Sequence, residues 1–155
     1  MKTILLGLIL AIGASAQMVD AQSMTKSASF RISSIGDFGS RIYYNCDSVE
    51  NQVASMMERF GATNVSVRCT GGLDPWGGFA TEAFVRLTMD VLVSDANGAM
   101  RGEYQEVSIR SFDNCHLLKE ISENTHGLFD VRSLNYTKTC TRSNSRFRLK
   151  GEFLK

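Results

Sequence analysis

The sequence predicts an α+β domain built from two strand-helix-strand-strand units in tandem, with a mainly antiparallel sheet and both helices on one face. Three observations carry this expectation. The first is internal repetition: Asn45-Cys46 followed by Asn64-Val-Ser-Val-Arg-Cys69-Thr70 returns as Asn114-Cys115 followed by Asn135-Tyr-Thr-Lys-Thr-Cys140-Thr141, the cysteines of each pair lying 23 and 25 positions apart. Several marks recurring in the same order at a near-constant period indicate a duplicated unit. The second is helical periodicity after each Asn-Cys, and the third is strand-like alternation in the segments that follow.

Taken in order, the chain opens with Lys2, an apolar run from Ile4 to Ile12, and Ala14-Ser15-Ala16. A basic start, a short apolar run and a small-residue site read as a secretory signal peptide over 1–16, with an alternative cut after Ala21. The run is too short to serve as a membrane anchor. Residues 17–27 are expected to be a flexible mature N-terminus, and 28–155 a single domain with units at about 40–93 and 103–155. The segment Ser27 to Ile35 is expected to add a strand ahead of the first unit, whose own first strand falls around Ile42. Val49, Val53, Met56, Met57 and Phe60 then recur at helical spacing, Asp47 with Glu50 reads as a capping box, and Gly61 supplies the stop.

Val65, Val67 and Cys69 alternate with polar neighbours, as do Ala83, Val85, Leu87, Met89 and Val91, so both stretches are predicted strands with one buried face. Asn97-Gly98 is a hairpin signal joining the units. Val107 and Ile109 open the second unit, whose helix begins at Asp113 or Asn114, carries Leu117, Leu118, Ile121 and Leu128, and ends near Gly127, about one turn shorter than the first. Phe147, Leu149 and Phe153 mark the closing strand. By element order the arrangement resembles the ferredoxin-like fold of split strand-helix-strand units. That likeness implies an architecture and assigns no function.

Four cysteines in an oxidising compartment point to two disulfides. A helix of about 14 residues rises roughly 21 Å and the return strand covers nearly the same length. Cys69 therefore comes back to the level of Cys46, and the predicted bridges are Cys46–Cys69 and Cys115–Cys140. The second fits less neatly, because its helix is shorter and its return longer. The competing reading makes Cys46 and Cys115 reactive thiolates at helix N-termini, but neither belongs to a Cys-x-x-Cys motif. No closely spaced Cys/His ligand set suggests a metal, and His116 and His126 are the only histidines. No metal or other cofactor is expected.

The chain is 43% apolar, a globular composition, with net charge +1. Charge is unevenly spread: residues 17–130 hold 9 basic and 15 acidic side chains, and residues 131–155 hold 7 basic and 1 acidic. No nucleophile elbow, phosphate-cradling Gly loop or His-Glu-x-x-His occurs. Two surfaces stand out as candidate binding sites. One is the loop bearing Trp76, the only tryptophan, bracketed by Gly pairs. The other is the terminal strand, where Arg146, Arg148 and Lys150 face outward from Phe147 and Leu149 and Arg142 and Lys155 extend a basic stripe; it would either meet an anionic partner or have Arg146 and Arg148 paired across strands with Glu82, Asp90 or Glu106. Asn64 and Asn135 sit in glycosylation sequons, relevant to a eukaryotic secretory route.

These features describe an exported periplasmic or extracellular module, disulfide-stabilised, that binds a protein or an anionic envelope component. Nucleic acid is not the expected partner. The alternatives are a small secreted hydrolase or thiol enzyme, with Cys115 and His116 as its candidates, and an inhibitor-like partner of an exported enzyme.

Overall fold

The computed structural model describes residues 18–33, 42–73, 79–111, 114–140 and 145–155. Along them run β1 (Met18–Ser33), α1 (Cys46–Phe60), β2 (Thr63–Leu73), β3 (Phe79–Ser94), β4 (Met100–Ser111), α2 (Cys115–Thr125), β5 (Val131–Cys140) and β6 (Ser145–Leu154). The six strands form one antiparallel sheet in the order β2-β3-β1-β4-β6-β5. This is the predicted α+β class. In each half a third strand separates the strand before the helix from the strand after it: β3 lies between β1 and β2, and β6 between β4 and β5.

The first strand differs from expectation. β1 begins at Met18, so nearly all of the segment expected to be flexible is strand, and Ile42 to Asn45 have no regular structure. β1 therefore supplies the leading strand of the first half. Its length lets it serve both halves, pairing with β3 over residues 21–33 and with β4 through Met18↔Glu103 to Ala21↔Met100. A processing cut after Ala21 would remove the whole β1–β4 ladder, whereas a cut after Ala16 leaves it intact.

Asn97-Gly98 makes a turn but not a hairpin, because β1 lies between β3 and β4. β3 ends at Ser94 opposite Ala21 on one side of β1, and β4 starts at Met100 opposite the same residue on the other side. The connection thus crosses over the β1 backbone. Asp95 N donates to Asp20 O at 3.0 Å and Gly98 N to Asp95 O at 2.9 Å. A Cβ on Gly98 would run into the backbone of Ala21. Glycine is required there by close approach and not by hairpin geometry.

Residues paired across strands share a face, which places the core. Val67↔Leu87, Cys69↔Val85, Ile109↔Leu149 and Tyr136↔Leu149 all lie on the helix side. Asp20↔Arg101 links the same parity of β1 that carries Phe30 and Ile32 to the parity of β4 that carries Val107 and Ile109. Both helices therefore cover the same sheet face. The five apolar residues predicted for the inward face of α1 are all buried, as are all five predicted for β3. Phe60 stacks on Phe153 with ring centroids 4.3 Å apart, and Phe129 packs edge-on against both, joining the end of α1 to the second half.

Helix ends also depart from the sequence reading in one detail. The N-cap of α1 is Asn45, whose side-chain oxygen accepts from Asp47 N at 2.8 Å and Ser48 N at 3.3 Å. No Asp47–Glu50 capping box forms, because Glu50 Oε1 instead accepts from Cys69 N at 2.7 Å on β2. Gly61 closes the helix in the left-handed region at φ 102°, as predicted. α2 has 11 residues against the 15 of α1 and continues as a 3-10 turn, His126–Leu128.

Both disulfides join a helix start to its return strand, Cys46–Cys69 with Cα atoms 5.2 Å apart and Cys115–Cys140 with 5.6 Å. Each closes a loop that stabilises by about 3 kcal/mol on the chain-entropy model. β2 and β5 carry an extra residue against their partners, between Thr63 and Ser66 and between Arg132 and Asn135, with Asn64 and Ser133 at φ 50° and 56°. These bulges bend the two outermost strands of the sheet.

Candidate functional site

The side of the sheet opposite the helices is where the charged residues collect. In β6 the alternation that buries Phe147 and Leu149 turns Arg146, Arg148 and Lys150 outward, and all three are exposed. β4 does the same: Val107 and Ile109 go inward while Glu106, Ser108 and Arg110 go outward. The β4–β6 register then sets Arg110 directly opposite Arg148, with Ser108 opposite Lys150 and Glu106 opposite Glu152. On the other side of β6, Arg148 faces Thr137 and Arg146 faces Thr139.

Cross-strand pairing of Arg146 and Arg148 with acidic residues, one of the two expectations, is not seen among the described residues: Glu106 instead pairs with Lys150, whose Nζ lies 2.7 Å away. Glu82 is taken by Arg31 at 3.5 Å. Asp90 accepts from Thr25 at 2.6 Å and Asn64 at 2.8 Å, and these two donors, Thr25 first, hold its carboxyl below the ordinary range. Arg146 and Arg148 make no ion pair with a carboxylate among the described residues, and Arg148 meets a second arginine instead. Like charges directly opposite in a sheet are destabilising by some tenths of a kcal/mol, roughly 0.2–1. The half-sheet is thus polarised. Its arginine end lies toward the Cys115–Cys140 bridge, and Glu106 and Glu152 lie toward β1.

Arg110 was missed by the sequence reading. Its outward orientation follows from the Val107/Ile109 alternation, but its place beside Arg148 depends on a pairing register between segments about forty residues apart. The same holds in the first half, where Arg68 on β2 stands opposite Arg86 on β3. Trp76 and Arg142 fall outside the described residues. Asn64 and Asn135 are both exposed, the first with its amide engaged by Asp90.

Cys115, the nucleophile of the enzyme alternative, is committed to a disulfide with Cys140, and there is no free cysteine. The thiol-enzyme alternative therefore has no thiolate. His126 Nδ1, in the 3-10 turn, lies 2.8 Å from Ser122 O on the preceding α2. Burial, and then the charge of Glu120, push Tyr44 up to about 12, which keeps it neutral at physiological pH. A groove of about 190 Å³ between α1 and α2 is lined by Asn51, Gln52, Ser55, Arg59 and Leu118. Arg59 spends one guanidinium hydrogen bond on Ser108 O at 2.9 Å. A second cavity, about 320 Å³, brings Asp90 and Lys155 to an apolar floor of Val91, Leu92 and Met100. Neither places a histidine beside a carboxylate. No helix among the described residues is long and apolar enough to cross a membrane.

No family model, curated protein or solved structure matches the chain.

Proposed function

We propose that this is an exported, disulfide-stapled binding protein that holds an anionic envelope component on the open face of β4, β6 and β5 and carries out no chemistry of its own. The observation that carries the reading is Arg110 set opposite Arg148, with Arg146 alongside and no described carboxylate neutralising them. A sheet that tolerates this repulsion in the free protein gains from an anion that relieves it. Guanidinium forks suit phosphate, sulfate or carboxylate groups, which they engage through two parallel hydrogen bonds. Two bridges in a small domain fit an oxidising compartment, in keeping with the signal-like N-terminus.

Binding of the mature protein to isolated anionic cell-envelope polymer at low and raised salt tests the proposal. Affinity is expected to fall by about tenfold or more between about 0.05 and 0.2 M salt, because binding releases counterions from the polymer. The Arg110→Ser/Arg148→Ser variant should lose a similar factor at low salt. An affinity indifferent to both salt and substitution contradicts the reading.

A further inference from the structure

We infer that the first half carries a second anion-binding face, centred on Arg68 and Arg86, so that one molecule grips an anionic polymer at two places. The inference rests on the reading of the second half and extends it. Arg68 on β2 is the register partner of Arg86 on β3, and both are exposed. Neither has an ion pair with a described carboxylate: Glu82 belongs to Arg31, and Asp90 to Thr25 and Asn64. The flanking outward positions are hydroxyls except for Phe84, two residues before Arg86. Ser66 and Thr70 flank Arg68 on β2, Thr88 follows Arg86 on β3, and Ser29 faces Arg86 from β1. An anion approaching the pair therefore meets donors without meeting a free carboxylate.

The presence of one such pair in each half is the second argument. β3 and β6 are the middle strands of the two halves, and each carries an arginine set against another arginine, Arg86 against Arg68 of the outer strand β2 and Arg148 against Arg110 of β4, the strand next to β1. Two arginine pairs, each costing stability, occur in one sheet, whereas its third like-charge pair, Glu106 opposite Glu152, has Lys150 2.7 Å from Glu106 and Arg132 opposite Glu152. A repeating polyanion satisfies both pairs with one chain.

The neighbouring side chains favour a polymer over a protein partner. Protein hot spots are built on exposed aromatic or large apolar anchors. Among the described residues the large exposed apolar side chains are Met18, Met24, Tyr43 and Met100, none at a register position beside either arginine pair. Phe84, on the same face as Arg86, is half-buried with the Arg31 guanidinium 5.2 Å from its ring centroid.

The test uses the full mature protein with inorganic tripolyphosphate as a short probe and long-chain polyphosphate as a polymer. By calorimetry the wild type should take up two short probes, and Arg68→Ser/Arg86→Ser and Arg110→Ser/Arg148→Ser one each. On the long chain, removal of either pair should weaken binding by about tenfold or more, since the two contacts act together. Both variants should melt at or above the wild-type temperature, because each removes a repulsion, so a loss of binding is not a loss of fold. If Arg68→Ser/Arg86→Ser binds both probes like wild type while Arg110→Ser/Arg148→Ser does not, the second face is refuted and the first stands. If neither variant differs from wild type, both fail. Tighter binding to phosphatidylglycerol vesicles than to the long chain overturns the choice of a polymer.

Discussion

Asn45 and Asn114 stand in the same local sequence, each just ahead of a cysteine that begins a helix, yet only Asn45 caps. Its backbone is extended at φ −82° and ψ 126°, which aims the side chain at the first turn, whereas Asn114 sits at φ −112° and ψ 37° and makes no side-chain cap. Asn45→Ala is expected to cost about 1 kcal/mol and Asn114→Ala a few tenths at most, measured by chemical denaturation. Equal losses would contradict the geometry. The repeat made the two positions look equivalent, and at this scale sequence was a partial guide: it located both helix starts and missed which residue would satisfy them. Glu50 illustrates why. Its spacing from Asp47 fits a capping box, but its Oε1 accepts instead from Cys69 N, brought alongside by the return strand. A competition between a local acceptor and a distant donor is invisible until the chain is folded.

Asp130 shows the same principle between elements. It lies between the 3-10 turn and β5, where its carboxylate accepts from Ser94 N and Oγ at the end of β3 and from the Tyr104 hydroxyl of β4 at 2.7 Å. The Arg132 guanidinium lies 3.8 Å from the centroid of the Tyr104 ring. Burial works to raise the Asp130 pKa, but the Ser94 and Tyr104 donors and then Arg132 outweigh it, so the carboxyl titrates below the ordinary range. A carboxyl depressed in the folded state contributes stability above its unfolded value and loses it as pH falls through the folded one. The stability difference between wild type and Asp130→Asn should therefore be greatest near neutrality and shrink as pH drops below about 4. A gap that stays constant into acid would show that the carboxylate's charge is not what the three elements hold. Inward faces and helix spans were legible because burial imposes period 2 on strands and period 3.6 on helices. The β3–β4 crossing was not. Asn-Gly marks a tight turn equally well whether the strands it joins are neighbours or are parted by a third, and only the close approach of Gly98 to Ala21 distinguishes the cases.

For the molecule as a whole, the sheet reads as β2-β3-β1 and β5-β6-β4 from its two edges, joined by four residue pairs between β1 and β4 and by the Phe60, Phe129 and Phe153 cluster beneath. The class and the two bridges could be read from repeat spacing and chain reach. The candidate faces could be read only in part. Arg146, Arg148 and Lys150 announced themselves by alternation, while Arg68, Arg86 and Arg110 acquire meaning only from the strands beside them. The central claim is that arginines left without carboxylates are the binding groups. Their side-chain Nε–H resonances, followed as long-chain polyphosphate is added to the protein, test it most directly. Arg110, Arg146 and Arg148 should shift first, together with Arg68 and Arg86. Arg31, Arg59 and Arg101, held by Glu82, Ser108 O and Asp20, should move least. Shifts spread evenly over all arginines, or centred on Arg59 in the groove between the helices, would contradict it.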